Sequence, residues 1–310
     1  IEYDIIKGGI SGKYTISALA NNLVSIMAQS MPILNRYTKK AKAENDITCV
    51  LEIEPLKPLL QTIEIPWYTT DKTSIYAHLN SIKNEIEAEV SIPNISNGKI
   101  NIDSVNLYVN NLDNDNISLN LSAGTKLKKD YLNAALNINA FADTITTTLN
   151  WDNNNFDKLF AGEFIAQTAI ESIPNSDSVA LNTTILPTEL ILQNKSWTID
   201  ESHIWSDFTK VIIDKFNIHS IDDQLIAING IASSSPDEII NIQLKDISLD
   251  YIDELLPEET AISFGGIVNG NATIANTLVL PEINADVIST NFQFDDSYFG
   301  TAIASCNFDH

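Results

Sequence analysis

Basic residues are scarce in this chain: 18 lysines and arginines stand against 41 aspartates and glutamates, a formal net charge of −23. That balance argues against a nucleic-acid partner, because phosphate binding needs a basic footprint. Adhesion to an anionic membrane surface is disfavoured for the same reason. Cysteine is nearly absent. Cys49 and Cys306 stand alone, in no CxxC or other ligand-like spacing; they either pair across the chain or serve as small core residues, and they do not decide the compartment. No apolar run is long enough to cross a bilayer as a helix, and no signal-peptide pattern opens the chain. It begins at Ile1 without a methionine and reads as a piece cut from a longer protein. Only 11 glycines and 10 prolines occur, with no linker, low-complexity stretch or clear domain boundary, so residues 1–310 read as a single elongated fragment.

Chemistry-bearing motifs are missing too. His78, His203, His219 and His310 form no short-range ligand motif. Asp113 and Asp115 in "LDNDNISLN" imitate a calcium loop but lack its glycine at the sixth position and its glutamate at the twelfth. "GGISG" fails the G-x-S-x-G spacing of a nucleophile elbow, and no Gly-Lys-Ser/Thr marks a phosphate cradle. The expectation is a non-enzymatic protein without cofactor or metal.

What is present is alternation. Ile86, Ala88, Val90 and Ile92 alternate with Glu85, Glu87, Glu89 and Ser91; Ile117, Leu119, Leu121 and Ala123 with Ser118, Asn120 and Ser122. The pattern returns at Leu132–Ala140, Ile145–Trp151 and Ile240–Leu244. Period two with one polar side predicts sheets wetted on one face only. The stretch Asp157–Ser172 fits a strand better than a helix, because Phe164, Ala166 and Thr168 alternate around Gly162. A slip of the apolar phase between Val287 and Ile288 predicts a β-bulge.

One segment has helical spacing. From Ser17 to about Ala43, Leu19, Leu23, Ile26, Met27, Leu34 and Tyr37 recur at three- and four-residue steps. Ser17 reads as its N-cap, Pro32 should kink or split it, and Lys39, Lys40 and Lys42 suit its C-terminal dipole. One helix cannot cover so many one-sided strands. The sheet must fold over itself as a barrel, sandwich or trough, or hold an apolar guest.

A phrase also repeats: "GGISGKYTIS" at 8–17 and "GGIVNGNATIA" at 265–275. Between them, "WTIDESHIWSDFTKVIIDKFNIHSIDDQLIAINGIASSSPDEIINIQLKDISLDYIDELL" (197–256) runs on as Trp-marked and Gly-marked strands. The next stretch, 262–309, adds a Gly-rich strand, a strand marked by Pro281 and one marked by Phe299-Gly300; "WDN" at 151–153 fits upstream. This rhythm resembles the C-terminal repeat region of the translocation and assembly module (TamB) family, within the AsmA-like bridge-type lipid-transfer proteins. The repeated phrase then marks two module starts in a quasi-linear array.

The resemblance implies a mainly β fold: a long curved amphipathic sheet folded into a trough (a β-taco), with one long helix at about 17–43. It implies a periplasmic protein, anchored to the inner membrane through a segment outside this sequence. Its groove would carry phospholipid acyl chains between inner and outer membranes, assist outer-membrane protein assembly, or do both, with a BamA/TamA-like outer-membrane barrel as a further partner. The expected groove lining is Leu119, Leu121, Leu136, Ile138, Ile226, Ile228, Ile242, Leu244 and Ile274. Leu19, Leu23, Ile26, Met27 and Leu34 are expected to lay the helix on that lining. Two other classes compete. A dry-core β-rich extracellular adhesin or scaffold would close the same apolar faces with protein alone. A carbohydrate-active β-sandwich would need paired carboxylates beside aromatic platforms, and Trp67, Trp151, Trp197 and Trp205 are too scattered in sequence to argue for one.

Overall fold

The computed structural model describes residues 5–39, 43–55, 65–111, 116–127, 130–153, 160–192, 194–251, 262–295 and 297–308. The chain is mainly β and divides into two compact units, Ile1–Asn155 and Phe156–His310.

In the first unit the strands are β1 (Ile6–Lys13), β2 (Asp46–Ile53), β3 (Tyr68–Thr69), β4 (Thr73–Asn80), β5 (Glu85–Ser96), β6 (Asn101–Asn110), β7 (Ile117–Leu127), β8 (Asp130–Phe141) and β9 (Thr144–Asp152). Each pairs antiparallel with its neighbour in the order β1–β2–β4–β5–β6–β7–β8–β9, and β3 continues the line of β4 alongside β5. This is a meander, so strands adjacent in sequence are adjacent in space and the alternation of each is inherited by the whole sheet.

The helix α1 spans Ile16–Ser30, and a 3₁₀ turn follows at Pro32–Tyr37. The expected helix over 17–43 is therefore split. Proline has no N–H to donate and its ring collides with the carbonyl four residues back, so α1 stops two residues before Pro32. Met31 closes it by donating its N–H to the Met27 carbonyl at 2.9 Å. Lys40 and Lys42 lie outside the described residues. Thr15, not Ser17, is the N-cap, and it makes no side-chain capping bond. Its N–H is instead taken by the side-chain oxygen of Asn45.

In the second unit the strands are β10 (Phe160–Ser172), β11 (Val179–Ile185), β12 (Thr188–Leu192), β13 (Lys195–Ile199), β14 (Ser202–Ser206), β15 (Val211–Ser220), β16 (Leu225–Ala232), β17 (Ile239–Ser248), β18 (Phe264–Ala275), β19 (Glu282–Phe294) and β20 (Ser297–Phe308). β10 bears out the strand reading of that stretch; residues 157–159 lie outside the described residues. β11 and β12 form one broken line against β10, and β13 and β14 form the next; from β15 to β20 the sheet is again an antiparallel meander.

Bulges on alternate strands absorb slips in the apolar phase. The alternation runs Val211, Ile213, then Phe216, Ile218 in β15, and Ile240, Ile242, Leu244, then Ile247 in β17, with register shifts between Ile213 and Phe216 and between Leu244 and Ile247. Lys215 and Asp246 sit at these places with φ of 48° and 53°, and Asn291 sits at a like shift between Ser289 and Phe292 of β19 with φ of 54°. Two residues there oppose one, so the apolar set resumes on the same face. The Asp246 bulge is held by Asn269, whose side chain accepts the Asp246 N–H at 2.9 Å and donates to its carboxylate at 3.0 Å. The bulge expected at Val287–Ile288 lies slightly later: Val287 and Ile288 keep regular partners, and the shift falls between Ser289 and Phe292.

The turn between β14 and β15 is fixed by Asp207, whose carboxylate accepts from the Thr209 N–H, the Thr209 hydroxyl and the Lys210 N–H at 2.9, 2.6 and 3.0 Å. The Thr209 hydroxyl above all holds the Asp207 carboxyl below its usual range. A depressed carboxylate stabilises the turn above its unfolded pKa, and the contribution disappears as pH falls through the folded value. Thr209→Val should return Asp207 towards an ordinary aspartate titration, read by carbon-detected NMR of the side-chain carboxyl. An unchanged titration would remove the hydroxyl as the cause.

Candidate apolar groove

Residues that pair directly across antiparallel strands point to the same face, so the register places the expected groove residues. In the first unit Cys49, Ala77, Ala88, Val109, Leu119 and Ile138 follow one another as successive partners. A second row runs Leu51, Ile75, Val90, Leu107, Leu121, Leu136 and Leu149. Leu119, Leu121, Leu136 and Ile138 are thus four adjacent members of two apolar rows. The opposite face is polar: Thr48, His78, Glu87, Asn110, Ser118 and Asn139 are successive partners there. They bond laterally, as Thr48 Oγ1 to His78 Nδ1 at 3.0 Å and Ser118 Oγ to Asn139 Oδ1 at 2.9 Å.

The second unit repeats the arrangement. Ile199, Ile218, Ile226 and Leu244 form one row; Phe216, Ile228, Ile242, Ala272 and Ala285 a second; Ile213, Gly230, Ile240, Ile274 and Ile283 a third. All five expected residues of this unit are in these rows. Behind them Asn229, Asn241, Thr273, Asn284 and Asn307 line up on the polar face.

Burial separates these rows from an ordinary core. Leu119, Leu121, Leu136, Ile138, Ile226, Ile228, Ile242, Leu244 and Ile274 are all half-buried, and Leu149 is 36% exposed. Full burial on the apolar face is confined to patches, such as Ile86 and Ala140 in the first unit and Ile240 and Val268 in the second.

In the first unit α1 explains the patch. Its start is tied to the sheet by Asn45, which precedes β2. Asn45 is fully buried; its side chain accepts from the Thr15 N–H and donates to the Asn22 side-chain oxygen, while its backbone exchanges two hydrogen bonds with Ser81 at 2.8 Å each. The 3₁₀ turn that follows its other end is tied by Asp143, in the β8–β9 turn, which accepts the Ile33 N–H at 2.7 Å. Fifteen helical residues reach about 22 Å at 1.5 Å per residue, and the five strand spacings from β2 to β8 come to about 24 Å. The helix therefore has the length to lie across one end of the strands.

Its contact stripe differs from the expected one. The buried residues are Ala18, Asn22, Ile26, Ala28 and Ser30, with Ile26 at 0% exposure. Leu19, Met27 and Leu34 are half-buried, and Leu23 is 39% exposed. Small residues take the seam because they let the helix backbone come close, and the Asn22–Asn45 bond sets its rotation. Leu19 and Leu23 are left beside the seam, where they roof a cavity of about 400 Å³ over Ile47, Cys49, Leu79, Ile86, Ala88 and Val109. Sequence reasoning missed Asn22, Asn45 and Ser81, because nothing local in "AENDI" or "NSIKN" says that they meet.

The remaining chemistry-bearing groups do not converge. Among the described residues no cluster of three or more His, Cys, Asp or Glu side chains is placed to hold a metal ion. His78, His203 and His219 sit near Asp46, Glu201 and Asp200 respectively, in separate surface pairs at 3.9, 3.4 and 3.1 Å. His310, Asp113 and Asp115 lie outside the described residues. Cys49 and Cys306 are free thiols, one half-buried and one exposed. Trp197 is buried, 5.7 Å from the ring of Tyr251 in an edge-on contact, and forms no surface platform. No helix among the described residues is long and apolar enough to cross a membrane. No family model, no curated protein and no solved structure matches the chain.

Proposed function

We propose that the half-buried aliphatic rows are a groove for phospholipid acyl chains, and that the chain is part of a periplasm-spanning envelope protein of the kind its sequence resembles. On this reading the sheet is bent into a trough, lipid moves between inner and outer membranes along it, and an outer-membrane barrel protein receives it or is assembled with its help. The observation that carries the reading is the incomplete burial of nine Leu and Ile positions in apolar rows, four in the first unit and five in the second, with rows of polar partners on the opposite face of each. A sandwich core would bring such side chains to near-zero exposure. Each methylene taken from water into the rows contributes about 0.8 kcal/mol, so a guest chain is held without any specific contact. The head group stays in water at the open side. The cavity roofed by Leu19 and Leu23, at about 400 Å³, falls in the range of small-ligand pockets.

The test is lipid content. Native mass spectrometry of the purified 310-residue chain should find phospholipid bound, and Leu121→Arg and Ile242→Asp should each reduce it several-fold, because a charge in an apolar groove is left uncompensated. Circular dichroism and melting of both variants control for misfolding. A lipid-free wild-type chain, or folded variants with unchanged lipid, would transfer the assignment to a dry-core scaffold.

A further inference from the structure

The other hairpin turns described in full carry polar residues and at most one isolated apolar side chain, as in Asn97-Gly98-Lys99, Pro174-Asn175-Ser176-Asp177 and Ile221-Asp222-Asp223. The turn between β18 and β19 breaks that rule. It presents Leu278, Val279 and Leu280 in succession, at 52%, 62% and 50% exposure, followed by Pro281. Three consecutive large aliphatic side chains at a turn cost solubility, and this turn is held firmly in place. Leu278 donates its N–H to the Ser233 carbonyl at 3.1 Å, in the neighbouring β16–β17 turn, and Val279 donates to the Asn276 carbonyl at 3.2 Å. The strands beneath end level with one another, since Ala275 pairs with Ile239 and Val211 with Ala232. The tip therefore projects from a flush sheet end. Phe208, 68% exposed in the β14–β15 turn, projects from the same end, four strand spacings or about 19 Å away.

We propose that this end of the second unit docks on a lipid bilayer, with Leu278, Val279 and Leu280 entering the interface and Phe208 as an outlying contact. The shape favours a bilayer over a protein. A convex tip of three aliphatic side chains presents far less than the roughly 800 Å² per partner that a stable protein interface uses, and it lacks the Trp, Tyr and Arg anchors such interfaces rely on. Shallow insertion needs only a few apolar side chains whose backbone is already satisfied. The charge around the tip selects the surface. Asp207, Asp237 and Glu238 share this end with Lys210 as the cation beside them, so a zwitterionic bilayer is accepted and an anionic one repelled. This docking is separate from the acyl-chain groove and stands without it.

The test uses the 310-residue chain and phosphatidylcholine vesicles. Flotation should recover the wild-type chain with the vesicles, and the triple variant Leu278→Ser, Val279→Ser, Leu280→Ser should bind roughly tenfold or more weakly. Ile221→Ser, which removes an 85% exposed side chain from a turn at the other end of these strands, should bind like the wild type. A Val279→Trp variant should gain vesicle-dependent blue-shifted emission over the wild-type signal, quenched by acyl-brominated lipid. No wild-type flotation, or undiminished flotation of the triple variant, overturns the proposal. So does concentration-dependent self-association, seen in sedimentation without lipid and lost in the triple variant, since the tip would then be a protein contact.

Discussion

Replacing Asn45 with alanine is expected to lower stability by about 1–3 kcal/mol. The side chain is fully buried and bonds at both of its polar atoms. Its removal leaves the buried Asn22 side-chain oxygen without this partner, which costs about 1–3 kcal/mol, and frees the exposed Thr15 N–H to bond with water. The loss reaches beyond the local bonds, because α1 is joined to the sheet at this end through Asn45, while Asp143 holds only the 3₁₀ turn that follows its other end. A 15-residue helix detached from its apolar surface is marginal in water. Urea unfolding followed at 222 nm should show a lower midpoint and an early loss of helical signal. A change below about 1 kcal/mol would mean that water or a relaxed helix replaces the bonds, and that Asn45 is not the tie described above.

Gly230→Ala should be about as damaging, at roughly 2–4 kcal/mol, although it adds one methyl group. Gly230 lies in β16 with φ of 122°, a conformation that L side chains rarely adopt, and a Cβ there would stand 2.1 Å from the Ile239 carbonyl oxygen of β17. The obstacle is backbone within a hydrogen-bonded ladder, so it cannot swing aside. Gly9→Ala is the matched control: a Cβ at Gly9 meets nothing within 4 Å and its φ is not positive. That substitution should be neutral or stabilise by up to about 1 kcal/mol through the unfolded chain. Thermal unfolding of the two variants decides the point, and equal melting temperatures would refute the steric account.

The same steric fact reinterprets the repeated phrase at 8–17 and 265–275. In β1 the glycines with no room for a Cβ are Gly8 and Gly12, blocked by the Val50 and Asp46 carbonyl oxygens at 2.0 and 2.1 Å. In β18 they are Gly266 and Gly270, blocked by atoms of β19 at 2.9 and 2.5 Å. The structural repeat is two glycines four residues apart pressing on the following strand, and the neighbouring Gly9 and Gly265 are incidental to it. After the phrase the copies diverge: Thr15-Ile16 opens the helix, while Thr273-Ile274 stays within the strand.

The sequence by itself determined the β character, the one-sided alternation, the position of the helix start to within one residue and its interruption at Pro32. These are local properties: period two, period 3.6 and a missing N–H act within a few residues of themselves. Local alternation also sorted the nine groove candidates onto apolar phases. Tertiary structure decided what those phases meet. Register turned separate apolar positions into continuous rows and placed the late bulge beyond Ser289. It also chose Ala18, Asn22 and Ile26 over Leu19 and Leu23 for the helix seam. The Asn22–Asn45–Ser81 tie and the Asp143 cap join residues 23 to 110 positions apart. The division into two units and the neighbouring turn that anchors the Leu278 tip likewise rest on contacts between distant residues. A pattern carried on one segment states which face is apolar; only the pairing of segments decides whether that face is covered.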